Sequence, residues 1–381
     1  IAAGCGGDDD DSAAPAEAPA EAPAEAPAEA PAETPGVVCE GSIAFMGPIT
    51  GPVAFLGGEQ LSWARFALDL HNEEFGSNFM LVEGDTMLDP AEGALVAEQL
   101  SSDTSIIGIV GPAGSQVVEA SAAILDGNIA YVSGSATNTA LTQDTTTFFR
   151  TVGFDDVQGP TTAQFMIDEL GVQKVLIIDD QESYSTGLAD AVTVVLEDGG
   201  VTVARESVNQ DVTDFSALVS GIDDDVDVVY LPWQVAANGQ LFADQMAEQG
   251  KAAVIVGSDG LFTEEFAAEG AYVVSFAPDI RGIDDPDIQA MGERYVSEDR
   301  GEFGTFGPPS FAAADVLLKA AQSICDGGDQ PTREGVIAAV QATDLPTSIL
   351  GQPIRFDAAG DVAGAKFFVF QNMGGEKVLI Q

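Results

Sequence analysis

Positive charge is what this sequence has least of. Its 381 residues hold 13 Lys and Arg against 62 Asp and Glu, a formal net charge of −49. A surface of that sign repels phosphate backbones, so nucleic acid is excluded as a partner. Histidine occurs once, as His71, between Leu70 and Asn72 in a helical stretch. A Ser-His-Asp site needs its base at a strand end, so His71 reads as a surface or partly packed residue. HExxH, CxxC and GxxxxGK[ST] strings are missing, and Gly108, Gly111 and Gly114 lack dinucleotide spacing. No EF-hand pattern occurs, and the carboxylates are too abundant for any pair to mark a glycosidase. These absences lead to the expectation of no metal, no cofactor and no enzyme. Long apolar runs are missing as well: none reaches the roughly 18 residues that a membrane-spanning helix needs.

Cysteine is scarce enough for each residue to carry information. Cys5 ends Ala2-Ala3-Gly4-Cys5, and behind it lie Asp8 to Asp11 and Ala-Pro-Ala-Glu-type repeats reaching Pro35. Small residues before a Cys and a polar spacer after it resemble the cleavage site of a bacterial lipoprotein. That resemblance implies an acylated Cys5 and an extracytoplasmic protein, lipid-anchored to the outer face of the cell membrane or periplasmic. The spacer has no large apolar side chain to offset the entropy of ordering, and a proline at every fourth position opposes helix. Residues 1–36 are therefore expected to be a disordered acidic linker. Once Cys5 is lipidated, Cys39 and Cys325 remain. An even pair in an exported protein suggests a disulfide, with two buried thiols as the alternative. The acidity suits high salt, where screening removes self-repulsion, and equally an ordinary acidic surface protein.

Beyond the linker, short apolar runs alternate with helix-length amphipathic stretches. The runs are Ser42–Met46, Phe79–Val82, Ile106–Val110, Ala130–Val132, Lys174–Ile178, Val201–Ala204, Val226–Leu231, Ala253–Val256 and Ala271–Phe276. Most are nearly continuous in apolar character, as strands buried on both faces are. Leu61, Ala64, Ala67, Leu68 and Leu70 line one face of the first helical stretch. This alternation predicts an α/β fold of doubly wound parallel sheets. There are too many strands for one sheet, and the rhythm falters near Phe148–Gln158 and again near Arg281–Pro286. Those two places are read as crossings between two lobes. Helices over Ile288–Arg300 and Phe311–Cys325 then return to the first lobe, which brings Cys325 toward Cys39.

Ligands in open α/β sheets bind off the carboxyl ends of the strands. The segments Gly111–Ser115 and Ser133–Asn138 follow two runs and offer hydroxyls and free N–H groups at helix starts, which suit a carboxylate. Tyr184 and Asp259 follow two others and suit an ammonium group. Phe55, Trp233 and Phe306 can hold a side chain. Each feature alone is ordinary turn chemistry; together they describe a zwitterion with an apolar tail, an amino acid.

Several strings also resemble the leucine/isoleucine/valine-type periplasmic binding proteins. They are Ser42 to Ala54, Phe149 to Gly153 with Gln158-Gly159-Pro160, Tyr184 with Gly187 to Ala189, Val228 to Tyr230 with Gly239-Gln240, and Gly351 to Lys366. The resemblance runs from Cys39 to Gln381. It implies a type I periplasmic binding protein fold: two Rossmann-like lobes with three hinge crossovers. The lobes would be residues 37–155 with 283–352, and 156–282 with 353–381. It further implies a monomeric substrate-binding protein of an ABC importer that delivers an amino acid to permease subunits in the membrane. A ligand-sensing receptor lobe for amino acids or short amides is the alternative. Carried over by position, Ser115 with the Gly114 backbone, and Ser135 with Ala136 and Thr137, would hold the carboxylate. Tyr184 and Asp259 would meet the ammonium. The family often has Glu at the place of Asp259 and Tyr at the place of Gln234, and many relatives have an aromatic in the first loop where Phe55-Leu56 stands here. These departures leave the side-chain preference open, with branched-chain aliphatic amino acids first.

Overall fold

Glu40–Gly47 forms strand β1 because Ile43–Met46 is an unbroken apolar stretch, and it is fully buried. The computed structural model describes Ile1 and residues 38–276 and 279–381. Cys5 and most of the acidic linker therefore lie outside the described residues. Residues 37–381 form a single compact unit, and its described residues hold two large sheets and a two-stranded ribbon.

The first sheet is parallel throughout. It comprises β1, β2 (Asn78–Asp85), β3 (Ile106–Val110), β4 (Ala130–Ser133) and β5 (Phe148–Arg150), in the order β2-β1-β3-β4-β5. Helices α1 (Ala54–Phe75), α2 (Pro90–Ser102) and α3 (Ser115–Leu125) connect the earlier strands. The predicted face of α1 is confirmed: Leu61, Ala64, Ala67 and Leu68 are buried and Leu70 packs against the core. Asp89 caps α2, its carboxylate accepting from Ala91 and Glu92 backbone N–H at 2.8 and 2.9 Å.

The second sheet has mixed directions. It holds β6 (Lys174–Asp179), β7 (Thr202–Ser207), β8 (Val228–Leu231), β9 (Val254–Gly257) and β10 (Tyr272–Ser275). Helices α4 (Asp155–Asp168), α5 (Ser183–Asp198), α6 (Ser216–Ser220) and α7 (Ala236–Glu248) accompany them. The chain then returns to the first sheet as α8 (Pro286–Ser297), α9 (Gly307–Asp326) and α10 (Arg333–Gln341), followed by the short ribbon β11 (Asp344–Leu345) and β12 (Ile354–Arg355). It ends in β13 (Phe368–Met373) and β14 (Glu376–Leu379), which add antiparallel to β10 and give the order β14-β13-β10-β9-β8-β6-β7.

All nine predicted runs coincide with strands. Edge position explains why β7 departs from the buried-on-both-faces reading: it pairs on one side only, and most of its residues are exposed. Three expectations are corrected. Phe148–Arg150 is a fifth strand rather than part of a crossing, and the link to the second lobe begins at Thr151. The boundary at 352/353 falls too early. Ile354 and Val362 belong to the same apolar cluster as Phe149 and Trp63, and Arg150 bridges to Asp361, so the last crossing follows Val362. His71 is only 3% exposed and lies against Phe75 and Phe79, and burial lowers its pKa to about 4. It is a core residue.

The first lobe's core is clamped between α1 and α9. Trp63 stacks on Tyr295 with ring centroids 3.9 Å apart, and Phe66, Phe303 and Phe311 pack edge-on around it. Cys39, before β1, and Cys325, at the end of α9, form the expected disulfide, with Cα atoms 5.6 Å apart.

Candidate functional site

Two strand-end loops of the first lobe build one wall. Gly114 is the residue before α3, with φ +88, and a Cβ there would sit 2.4 Å from the Leu88 side chain. Glycine thus lets the loop turn directly into the helix, and the first N–H groups of α3 have no partner within the helix. Ser115 opens α3 fully buried, its hydroxyl accepting from the Asn138 backbone N–H at 3.2 Å. The second loop, after β4, is pinned from within. Ser133 Oγ donates to the Pro112 carbonyl at 2.7 Å and accepts from the N–H groups of Ser135 and Ala136. Arg150, fully buried, donates to the carbonyls of Ala136 and Asn138 at 3.2 and 2.8 Å and pairs with Asp361. The loop carrying Ser135, Ala136 and Thr137 is therefore tied to the segment that precedes the last crossing.

The second lobe supplies the opposite wall. Tyr184, in the first turn of α5, donates to Asp259 Oδ1 at 2.6 Å and lies 2.8 Å from Ser258 Oγ. Gln158 on α4 donates to the same Asp259 oxygen at 2.7 Å. Behind them Gly260 passes the backbone of Trp233 so closely that a Cβ would meet the Trp233 carbonyl at 2.4 Å. Burial pushes the Asp259 carboxyl up to about 6, although its hydrogen bonds from Tyr184 and Gln158 favour the charged form. Burial also raises Tyr184 well above the ordinary phenol range, so it stays protonated and donating.

Asp155, the first residue of α4, completes this group. Its backbone N–H donates to the Thr137 carbonyl at 2.9 Å, across from the first lobe's loop. It is 2% exposed; the Thr137 hydroxyl is the one side-chain donor that bears on its carboxylate, and no full hydrogen bond reaches either oxygen. Burial raises it to about 7; Thr137 and Arg150 favour its charged form, and the Asp259 charge opposes it. Thr137 Oγ1, Tyr230 Oη and Gln158 Oε1 are also buried without partners. Two carboxylates of raised pKa among unpartnered hydroxyl and amide atoms form a buried cluster whose chemistry suits a cation with N–H donors.

An apolar wall joins the two lobes. Leu56, Ala113 and Phe306 from the first lobe cluster with Phe165, Val274 and Phe276 from the second and with Val152 and Phe367 of the crossings, and Phe276 meets Phe306 edge-on at 5.4 Å. Phe55 packs against clusters of both lobes. Direct hydrogen bonds also cross: Gln116 Nε2 to Gln234 Oε1 at 2.7 Å, and Asn138 Nδ2 to the Ser183 carbonyl at 2.7 Å.

Of the residues expected to meet a ligand, the structure brings Gly114, Ser115, Ser135, Ala136 and Thr137 to one wall and Tyr184 and Asp259 to the other. Phe55, Leu56 and Phe306 join the apolar wall, and Gln234 bonds across the lobes. Trp233 is the exception. Its indole N–H donates to the Ile178 carbonyl at 2.7 Å and its ring packs on Phe215 and Phe242, so it belongs to the second lobe's core. Reading Phe148–Gln158 as a crossing hides the strand end that Asp155 and Gln158 follow, so the sequence does not mark either as a site residue, and Gln158 enters it only within the family-like string Gln158-Gly159-Pro160. A cavity among the chain crossings, lined by Thr151, Gly153, Phe276, Ile283, Gly351 and Lys366, shares none of the polar residues of these walls.

Known proteins match this arrangement over most of its length. A family model described as periplasmic binding protein matches residues 41–376. A Leu/Ile/Val-binding protein, BraC3, from Rhizobium johnstonii is 29% identical, over 88% of this chain and 93% of the relative. A Leu/Ile/Val-binding protein homolog from Brucella abortus is 31% identical, over 82% of this chain and 85% of its own length. The crystal structure of a leucine binding protein from Thermotoga maritima superposes with a TM-score of 0.81 at 23% identity, covering 89% of this chain and 97% of that one. At that identity it speaks for the fold.

Proposed function

This chain belongs to the periplasmic binding protein family, and from that premise we propose that its interlobe cleft captures an α-amino acid for an ABC importer. The observation that carries the proposal is Asp155: a buried carboxylate with two unpartnered oxygens, beside Asp259 and facing the Ser115 and Thr137 loops. An isolated buried charge is costly, and an ammonium group would relieve it. The ligand carboxylate would take the Ser115 hydroxyl and the free N–H groups at the start of α3. The ammonium would lie among Thr137, Asp155 and Asp259, with Tyr184 orienting Asp259. The aliphatic part of the side chain would rest on Leu56, Phe306 and Phe276.

The mechanism is hinge closure. The polypeptide crosses between lobes near residues 151–154, 279–283 and 363–367, and a ligand touching both walls favours the closed form. A micromolar affinity corresponds to about 8 kcal/mol, part of which holds the lobes together. The closed monomer would then present its cargo to permease subunits at the outer face of the membrane, tethered there through Cys5 and the acidic linker. Names of relatives that bind leucine, isoleucine and valine support an amino-acid ligand.

Calorimetry with an amino acid, its carboxamide and its decarboxylated amine tests the reading. The amino acid is expected to bind at least tenfold more tightly than either analogue, and saturation is expected to shrink the radius of gyration in small-angle scattering. Equal affinity for the carboxamide would overturn the carboxylate assignment, and an unchanged radius the bridging role.

A further inference from the structure

Buried glutamine is uncommon, because a side-chain amide must leave water with all its donors and acceptors paired. Four glutamines are buried among the described residues: Gln60, Gln116, Gln158 and Gln234. All four touch the strand-end loops of the cleft. Gln60, one turn beyond Leu56 on α1, accepts from Ser135 Oγ at 3.2 Å. Gln116 follows Ser115 and bonds Gln234 across the lobes, and Gln158 bonds Asp259. Three of the four leave an atom without any partner: Gln60 Nε2, Gln116 Oε1 and Gln158 Oε1.

Gln158 belongs to the ammonium end through Asp259. Gln60 and Gln116 do not: they flank the carboxylate loops from α1 and α3, beside the apolar wall of Leu56 and Ala113. An aliphatic side chain alone would leave Gln60 Nε2 and Gln116 Oε1 without partners on closure. We propose that the ligand is an uncharged amino acid whose side chain carries a hydroxyl or carboxamide, with Gln60 and Gln116 as its specificity-determining partners. This rests on the amino-acid reading of the cleft and narrows it. Anionic side chains are disfavoured by Asp155, Asp259 and the net charge of −49. A group that both donates and accepts satisfies a bare Nε2 and a bare Oε1 alike. Sites built to hydrogen-bond a ligand reject the analogue that lacks the group more strongly than apolar pockets reject an extra one.

Isosteric pairs separate this from the broader reading. Calorimetry on the intact protein with Thr and Val, Asn and Leu, and Gln and Met is expected to show the polar member binding at least tenfold tighter in one or more pairs. Gln60→Met and Gln116→Met are expected to reduce that ratio about tenfold while leaving the melting temperature of the ligand-free protein unchanged or higher. If the aliphatic member binds as well or better in every pair, the inference is overturned and the amino-acid reading stands. If a ratio favours the polar member but neither variant alters it, the role of these glutamines is overturned. If no amino acid binds, the reading of the cleft falls and the inference with it.

Discussion

Glu59, in the packing between α1 and α9, and Asp155, in the cleft, are carboxylates with the same history and opposite outcomes. Both are almost fully buried, and burial raises both to about 7. Glu59 Oε1 accepts from the backbone N–H groups of Gly304 and Gly307 at 2.9 and 2.6 Å, closing the approach to the start of α9. No full hydrogen bond reaches either oxygen of Asp155, and the Thr137 hydroxyl is the one side-chain donor that bears on it. Around Glu59 the neighbours are the stacked rings of Trp63 and Tyr295; around Asp155 they are bare hydroxyls and amides. Equal burial therefore serves two ends. At Glu59 the chain itself finishes the carboxylate's pairing, although the neighbouring Trp63 Nε1 has no partner, while at Asp155 the proposed amino-acid ligand would complete it.

The largest effect that would sharpen this contrast is in the finished region. Trp63→Ala removes a fully buried ring and is expected to cost roughly 3–5 kcal/mol of unfolding free energy. Denaturant melts should show that loss while ligand affinity in the folded fraction stays within about twofold. A collapse of affinity alone would break the separation. Asp259→Ala acts in the other region. It is expected to weaken amino-acid binding by at least tenfold, up to roughly 2–5 kcal/mol, because it leaves a buried ammonium unpaired. Its ligand-free melting temperature should hold or rise, and calorimetry with a parallel thermal melt checks both.

Reduction of Cys39–Cys325, or Cys39→Ser with Cys325→Ser, is expected to lower stability by roughly 2–4 kcal/mol and leave binding unaffected, read from urea midpoints. A change of pH acts on both regions at once. Asp155, Asp259 and Glu59 have folded pKa values near 7, 6 and 7, above their ordinary values of 3.8, 3.8 and 4.5. Between those limits the folded state binds more protons than the unfolded one, so ligand-free stability falls as pH rises from about 4 to 7. Amino-acid binding needs the cleft carboxylates ionised, so it should strengthen severalfold over the upper part of that range. Parallel slopes for stability and affinity would mean that Asp155 and Asp259 do not face the ligand.

Much of this arrangement was legible in the chain. Unbroken apolar runs gave nine strands, since a strand buried on both faces needs no polar alternation. The residues after those runs gave Ser115, Thr137, Tyr184 and Asp259, because parallel sheets present their carboxyl ends to a cleft. Phe148–Arg150 failed that test. Three residues are too few to show a period, and with that strand went the clue to Asp155 and Gln158. Trp233 failed for another reason: position after a strand says where the backbone is, and the indole turned inward to satisfy its N–H on Ile178.

By itself, then, the sequence determined the two-lobed α/β organisation, the pairing of Cys39 with Cys325 as the expected bridge, and the strand-end positions of Ser115, Thr137, Tyr184 and Asp259. Only the tertiary structure decided which buried polar atoms are paired. It placed Asp155 against Thr137, Gln116 against Gln234 and Trp233 away from the cleft, and it moved the last crossing beyond Val362. The reason is that apolar patterning is a local property repeated along the chain. Whether a donor meets an acceptor depends on segments dozens to hundreds of residues apart, and on angles that no spacing in the sequence records.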